Sequence, residues 1–448
     1  MPEIRASAVD QCDDFDSLCT RAQAVRQDSI HRLDRLLEKF EQKVIESGGH
    51  VHWARTGEEA TQIISGLCAS VGGRRIIKSK SMVSEEIELN AALESAGYEV
   101  TETDLGEYII QLRGEKPSHI LAPSLHVTLK EVGEAFYAAH GIERDAPPTD
   151  AGEMLLEARS VLREKFLSAD VGITGANFLV AETGGVVIVT NEGNADLTMT
   201  LPDTHIVVTG IEKVVPSLSD AGALLRVLAR SAIGERLSNY TTFIHGPRQD
   251  GEISGPRSFH IVLVDNGRSA LLGTEFHDML RCIRCSACLN HCPVYTAVGG
   301  HAYGSVYSGP MGAVLTPAFA GLPGTVHLPG ASTFCGHCET VCPVGIPLVK
   351  LLRRWREKSF AQSLPTTGER FGLGLWRFVN RWPFIYRVVT AFGASAVRSL
   401  SVPGSGQQRW IRRLPFFAAA WTQHRDLPAP ADNSFQARWR QQQAGRMS

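Results

Sequence analysis

The sequence predicts an α/β protein with a largely parallel sheet, followed by a small cysteine-bound module and a basic C-terminal region. Three observations carry this expectation. Short β-rich runs alternate with helical stretches as far as residue 266, seven of the ten cysteines lie between Cys282 and Cys342, and the charge balance changes sign after residue 350. Strand–helix alternation is the pattern of parallel sheets with helical crossovers. At 448 residues the chain has room for two or three domains. Its 43% hydrophobic and 21% charged fractions exclude a largely disordered or fibrous protein.

Residues 1–27 read as an N-terminal extension that soon turns acidic and polar and has no secretory signal. Asp28 to Gly49 carries Leu33, Leu36, Leu37, Phe40, Val44 and Ile45 at helical spacing and stops at two glycines, an amphipathic helix. The α/β domain is expected over 28–267. Its strands are His50–Ala54, Arg75–Lys78, Glu99–Thr103, Val186–Thr190, His205–Thr209 and His260–Asp265. Its helices include Gly57–Cys68, Ser84–Ala96, Thr128–Ala139, Thr149–Phe166 and Ser219–Ile233. Gly267–Leu280 reads as a short helix leading into the cysteines, which occupy a module over 268–350. Between the two cysteine groups, residues 293–334 hold eight Gly and five Pro, poor material for long helices or strands. Such a segment needs external ties, and a metal centre supplies them.

Three loop-like stretches of the α/β domain carry chemistry. Lys78-Ser-Lys80-Ser81 follows a strand and precedes a helix, so two ammonium groups, hydroxyls and a helix N-terminus face an anion such as a carboxylate or phosphate. The competing reading is a solvated turn with helix-capping serines. Gly172 to Asn177 with Glu182 to Gly185, and Asn191-Glu192-Gly-Asn194, are Gly-rich turns that let backbone approach a ligand and are equally ordinary turn chemistry. The chain has no dinucleotide or P-loop fingerprint.

The first cysteine group, Cys282-x2-Cys285-x2-Cys288-x3-Cys292-Pro293, has the spacing that ligates [4Fe–4S] clusters in bacterial ferredoxins. Three cysteines two residues apart wrap three corners of a cubane from one loop, while the fourth, before Pro, points to another cluster. Zinc sites use two pairs with a spacer instead. The second group, Cys335-Gly-His-Cys338-Glu-Thr-Val-Cys342-Pro343, is the same run without its first cysteine, and Ser332 stands in that place. Crossed ligation gives one cluster Cys282, Cys285, Cys288 and Cys342. The other takes Cys292, Cys335 and Cys338. The second is then either a [4Fe–4S] whose open iron takes Ser332, His337, water or a partner's group, or a [3Fe–4S]. Clustered thiols in a chain without a signal peptide, and without an apolar run of about 18 residues, place the expectation in the cytoplasm.

Lys80 to Asn90, Glu102 to Gln111, Gly172 to Asn177, Thr190 to Asn194 and Gly210-Ile-Glu-Lys-Val-Val-Pro216 resemble the LUD (lactate utilisation) domain. With the ferredoxin-like module behind it, the chain resembles the lactate utilization protein B family over nearly all of residues 28–390. The resemblance implies a fold related to the CoA-transferase/sugar-isomerase group and two bound iron–sulfur clusters. It implies participation in bacterial oxidation of L-lactate to pyruvate, with A-like and C-like lactate utilization proteins as partners; two clusters sharing one ligand framework suit an electron-transfer subunit, whose acceptor is not identified. If this chain binds the substrate, Lys78, Lys80, Asn177, Glu182, Asn191 and Glu192 are the candidates, a lysine holding the carboxylate. A redox-sensing regulatory or scaffold protein is the alternative.

Residues 351–448 carry 16 Arg+Lys against 4 Asp+Glu, whereas the preceding 350 carry 29 against 43. Six of the seven tryptophans also lie in this region, whose end, Asp426–Ser448, reads as disordered. Arg with Trp suits docking to an acidic partner or to the body of the chain itself, or peripheral contact with the inner face of the cytoplasmic membrane. Nucleic acid is not expected, since no recognition motif accompanies the charge.

Overall fold

The computed structural model describes residues 2–404 and 408–446. It divides into two compact units, residues 1–364 and 365–448. The first unit contains ten strands: β1 (His50–Ala54), β2 (Arg75–Lys78), β3 (Glu99–Glu102), β4 (Val171–Thr174), β5 (Phe178–Val180), β6 (Gly185–Thr190), β7 (Thr204–Gly210), β8 (Val214–Val215), β9 (Tyr240–Ile244) and β10 (Ser258–Val264). Six of them form a sheet in the order β1-β10-β7-β4-β2-β3, parallel throughout. The other four form a second sheet, β8-β5-β6-β9.

The six-stranded sheet is buried on both faces, which is why its central strands read as unbroken apolar runs. Along β10, Phe259, Ile261 and Leu263 pack toward the second sheet and helix Leu33–Glu46. Val262 and Val264 point the other way, to the helices that carry Ile64, Val83 and Leu93. Further along, Ile77 of β2 packs on Tyr108, Phe136 and Met154. The chain steps from β2 outward to β3, then returns past β2 to β4 and proceeds to β7 and β10. Connections therefore diverge between β2 and β4, the topological switch point where open α/β sheets bind ligands at their carboxyl ends.

All six expected strands form, and four more do in this unit. Val171–Thr174, within a stretch read as loop-like, is a central strand because Gly172 lets helix Asn194–Thr200 lie against it; a Cβ there would meet the Thr198 carbonyl oxygen at 1.9 Å. The helix expected from Asp28 is two helices, Phe15–His31 and Leu33–Glu46, broken at Arg32. The helix expected over Ser84–Ala96 also breaks in two, at the left-handed Glu88. Gly267–Leu280 holds two short 3-10 turns rather than a helix. The Gly- and Pro-rich interval contains a twelve-residue helix, Gly309–Ala320. Pro310 falls in its first turn, where no N–H is needed, and nearly every side chain around Pro317 is buried, so packing offsets the lost bond.

Residues 2–27 are structured. Helix Phe15–His31 buries Leu18, Ala22 and Val25 in the same core as helix Leu218–Ile233 and the cysteine module. Its Arg26, 1% exposed, donates to the backbone carbonyls of Glu212, Val214, Leu280 and Arg281, bolting the α/β domain to the start of the first cysteine loop. Beside it lies a buried charge cluster. Arg268 pairs with Glu86 and Glu212, each at 2.7 Å, Tyr307 donates to Glu86, and Arg284 reaches Glu212 at 3.5 Å. Burial alone would raise the Glu212 carboxyl, but Arg268 and Arg284 override it and hold it at about 2.

Helix Leu348–Ala361 closes the first unit. Trp355 stacks on Phe276 with ring centroids 3.9 Å apart and donates to the Val314 carbonyl at 2.9 Å. This tryptophan thus belongs to the core and not to the basic region that its position in the sequence suggested. The second unit, by itself, holds helices Thr367–Arg381 and Pro383–Ser399 packed together, and a three-stranded sheet of Val402–Pro403, Arg409–Ile411 and Leu427–Pro428. The end that read as disordered contains helix Phe435–Arg446; its last two residues lie outside the described ones.

Removing one partner of the buried cluster leaves charges unpaired. Arg268→Met, which strands Glu86 and Glu212, is expected to cost about 3–5 kcal/mol, read as a lower midpoint of denaturant unfolding; an unchanged midpoint would remove the network from the fold's support. His205, fully buried and hydrogen-bonded to the Thr174 hydroxyl at 2.8 Å, is depressed by burial to about 3 from an ordinary 6.5. Below about 6.5 the unfolded chain binds a proton that the folded chain refuses, so stability falls as pH drops toward 3. His205→Asn is expected to make melting temperature less steep in pH between about 7 and 5.

Candidate functional site

Two small cavities lie among the cysteines. One is lined by Cys282, Cys285, Cys288 and Cys342, with Met311, Val344, Ile346 and Leu348 closing it. The other is lined by Cys292, Cys335 and Cys338 together with Ser332, His291 and Pro293. The last cysteine of each run thus sits with the first cysteines of the other. Among the described residues, no three His, Cys, Asp or Glu side chains form a group that could hold a metal ion; the thiols instead surround cavities.

Local backbone explains how each loop encircles its cavity. Arg284 and Ser286 flank Cys285 in the left-handed region, with φ of 61° and 56°. Phe334 and Gly336 flank Cys335 in the same way, with φ of 54° and 83°. The two runs therefore repeat one winding, and Ser332 occupies the place that Cys282 has in the first. Ser332 accepts from the Phe334 N–H at 3.2 Å, and its carbonyl, with those of Pro329 and Gly330, accepts from Arg356, whose guanidinium stacks on Phe334.

The thiols differ in setting. Burial, then the charge of Cys342, pushes Cys285 upward, and burial and then Cys282 does the same to Cys288. Burial raises Cys338 to about 12 and raises Cys342 as well. Cys335 is exposed and lowered, chiefly by the His337 N–H. Thiols held this high ionise only for a cation, so a polycationic iron core is what would draw thiolates from them. The Ile346 N–H points at the Cys342 sulfur at 3.5 Å, the kind of contact that tunes a cluster's potential. Four thiols around one cavity, and three with a hydroxyl around the other, are a donor set that fits iron–sulfur clusters.

A third cavity, of about 290 Å³, opens at the switch point between β2 and β4. Of the six residues expected to bind substrate, Lys80, Asn177, Asn191 and Glu192 line it. Lys80 donates to the Leu121 carbonyl at 2.8 Å and is lowered by burial. Asn177 accepts from the Val189 N–H at 2.9 Å, and Glu192 from the Leu105 N–H at 3.1 Å. Burial, then Asp104, raises Glu192. The loop read as a possible solvated turn is buried at Lys78, Ser79 and Ser81, although Ser81 does cap the following helix.

Lys78 and Glu182 are not among the lining residues. Lys78 is fully buried and paired with Glu102 at 2.7 Å and Glu85 at 3.1 Å; burial would lower it, but these carboxylates hold it above its ordinary range. Glu182 accepts from the Leu218 N–H and so caps helix Leu218–Ile233. Sequence reasoning missed Lys213 and Arg284, which also line the cavity. Arg284 lines the first cysteine cavity too, so one side chain borders both. Its position between Cys282 and Cys285 was the available signal; Lys213 gave only its place in the Gly210–Pro216 segment.

Comparison with known proteins bears on both regions. The chain matches the LUD domain family over residues 37–264, the 4Fe-4S dicluster domain over 278–346 and the lactate utilisation protein B C-terminal family over 358–444. It is 44% identical to lactate utilization protein B of Bacillus licheniformis over 433 residues, 96% of this chain and 89% of that one. To lactate utilization protein B of a Geobacillus species it is 42% identical, over 98% of this chain and 92% of that one. To an uncharacterized electron transport protein, YkgF, of Escherichia coli it is also 42% identical, over 98% and 91%. A DUF162 family structure from Deinococcus radiodurans aligns at 15% identity and a TM-score of 0.30, over 52% of this chain and 98% of that one.

Proposed function

The chain belongs to the lactate utilization protein B family, an iron–sulfur protein of lactate utilization, and on that premise we propose that it is the electron-transfer subunit of a complex that oxidises L-lactate to pyruvate. The supporting observation is the pair of thiol-lined cavities. Two clusters sharing one ligand framework suit the relay of electrons, whereas a single structural cluster would have no use for crossed runs. The first cluster takes Cys282, Cys285, Cys288 and Cys342. The second takes Cys292, Cys335 and Cys338, and of the side chains the sequence left open for its fourth corner Ser332 lines that cavity whereas His337 does not. When bound, the clusters accept and pass single electrons; the chain's own residues wrap, desolvate and hydrogen-bond them. The working division is 28–267 for the LUD domain and 268–350 for the cluster module, with A-like and C-like lactate utilization proteins as partners.

The second unit supplies a contact surface for this role. On helix Thr367–Arg381 and just beyond it, Phe371, Leu375, Phe378 and Trp382 form one stripe, each more than half exposed, with Arg370, Arg377 and Arg381 beside it. On the following helix Phe384, Val388 and Phe392 are likewise exposed. Residues 365–448 hold twelve Arg, no Lys and three acidic residues. Aromatic residues on one face with arginines alongside is the composition of helices that lie in a lipid headgroup layer. No described helix is long and apolar enough to cross a membrane. We therefore place peripheral contact with an anionic membrane, close to an acceptor there, in this unit.

Anaerobically prepared protein is expected to carry about seven to eight irons. Cys342→Ala should abolish the EPR signal of the first cluster although it lies in the second run, and Cys292→Ala should abolish that of the second. Loss confined to the run that was mutated would overturn the crossed assignment. The full chain should sediment with vesicles containing anionic lipid and be released by about 0.5 M salt, and Phe371→Glu with Phe378→Glu should prevent sedimentation. Sedimentation that ignores both changes would exclude the membrane reading.

A further inference from the structure

The cavity at the switch point has a composition that the relay of electrons does not require. Lys213 is 6% exposed, lines the cavity and donates no hydrogen bond among the described residues. An amine desolvated to this degree without an acceptor is costly unless something fills the space before it. Burial, and then the neighbouring Arg284, lowers it to about 8, with the nearby Glu212 only partly opposing the shift. Three cations, Lys80, Lys213 and Arg284, face the cavity against two carboxylates, Asp104 and Glu192. Among the lining residues the balance is positive, and because Glu212 already answers part of the Arg284 charge the excess is small, which suits an anion of low charge.

The rest of the lining narrows the chemistry. Asn177, Asn191 and Thr190 offer amide and hydroxyl groups, and Ile188, Leu228 and Ile233 offer an apolar wall. A carboxylate takes the cations, an oxygen on the adjacent carbon takes the amides and hydroxyls, and a short alkyl group takes the wall. Leu121, which also lines the cavity, is held from the cluster side. His119 accepts from the N–H groups of Leu121 and Ala122 and bonds Asn290, two residues past Cys288.

We propose that this cavity binds a small monocarboxylate of the 2-hydroxy- or 2-oxo-acid class on Lys213 and Lys80, and that Arg284 conveys its presence to the first cluster. This rests on the cluster assignment above. Arg284 borders both cavities, lies over the Tyr307 ring at 4.7 Å and is tethered to Glu212 at 3.5 Å, so its charge has little freedom to move away. A bound anion offsets positive charge that otherwise favours the reduced, more negative cluster. Binding therefore lowers the potential of the first cluster, and by linkage reduction weakens binding by the same factor.

The test uses the anaerobic full-length protein with its clusters. Isothermal calorimetry with L-lactate and with pyruvate is expected to show saturable binding of one molecule per chain. Lys213→Gln should weaken it roughly tenfold or more, with Lys80→Gln as the second variant should the first not fold. EPR-monitored redox titration should show the potential of the first cluster shifted downward by the probe in the parent protein and unshifted in Lys213→Gln. Tighter binding of inorganic phosphate than of either acid would overturn the monocarboxylate assignment, and saturable binding without a shift would overturn the coupling. No binding by protein whose cluster signals are intact defeats this proposal alone, whereas absent cluster signals defeat the electron-transfer reading first.

Discussion

The interaction on which the molecule depends is the buried carboxylate of Glu212. It sits at the end of the six-stranded sheet, where β7 turns toward β8, and takes one guanidinium from Arg268 and another from Arg284. Arg268 follows the last strand of the α/β domain, and Arg284 lies inside the first cysteine loop. One charge thus ties the sheet to the metal module. Arg26 adds the N-terminal helix by collecting the Glu212 and Val214 carbonyls with those of Leu280 and Arg281. A desolvated cluster of this kind is a weak source of net stability and a strong source of register, since any other arrangement leaves a buried ion unpaired.

Around that fixed point the cysteine loops need little secondary structure. Left-handed residues on both sides of Cys285 and of Cys335 bend each run around its cavity. The short helices Ala287–Asn290 and His337–Thr340 then deliver Cys288 and Cys338. Glycine fills only one of the four left-handed positions, so the conformation at Arg284, Ser286 and Phe334 is held by its surroundings. For Phe334 the holder is visible: Arg356 lies on its ring and gathers three carbonyls of the segment before it.

The legible parts of the molecule are those whose signal is local. Period and composition gave the six principal strands, and spacing gave the thiols that share each cavity. Four candidate residues of the switch-point cavity were legible because a lysine, two asparagines and a glutamate stood in polar turns at strand ends. Lys78 and Glu182 stood in the same turns, but their partners, Glu102 and the Leu218 amide, are supplied by tertiary structure. Of the four missed strands in this unit, β5 and β8 have three and two residues, too few for any period to show, and neither of the others alternates: β4 is buried at every residue and β9 at none. Helix Phe15–His31 was obscured because its one buried face places Ala22, Arg26 and Ser29 in the interior beside its apolar residues. Its polar residues look like surface until their carbonyl partners, far away in sequence, are known.

Arg284 decides how the two halves of the molecule communicate. A cation within a cluster-binding loop stabilises added electrons, and the same cation at the wall of a cavity attracts an anion. Because one guanidinium borders both, the two demands compete for it. Lys213 strengthens the competition, since it is adjacent in sequence to Glu212 and faces the same cavity. Were the two regions separate modules joined by a linker, each could be satisfied alone, and the Glu212 cluster would have no reason to reach both. Its reach makes occupancy of the cavity and charge on the cluster parts of one electrostatic balance.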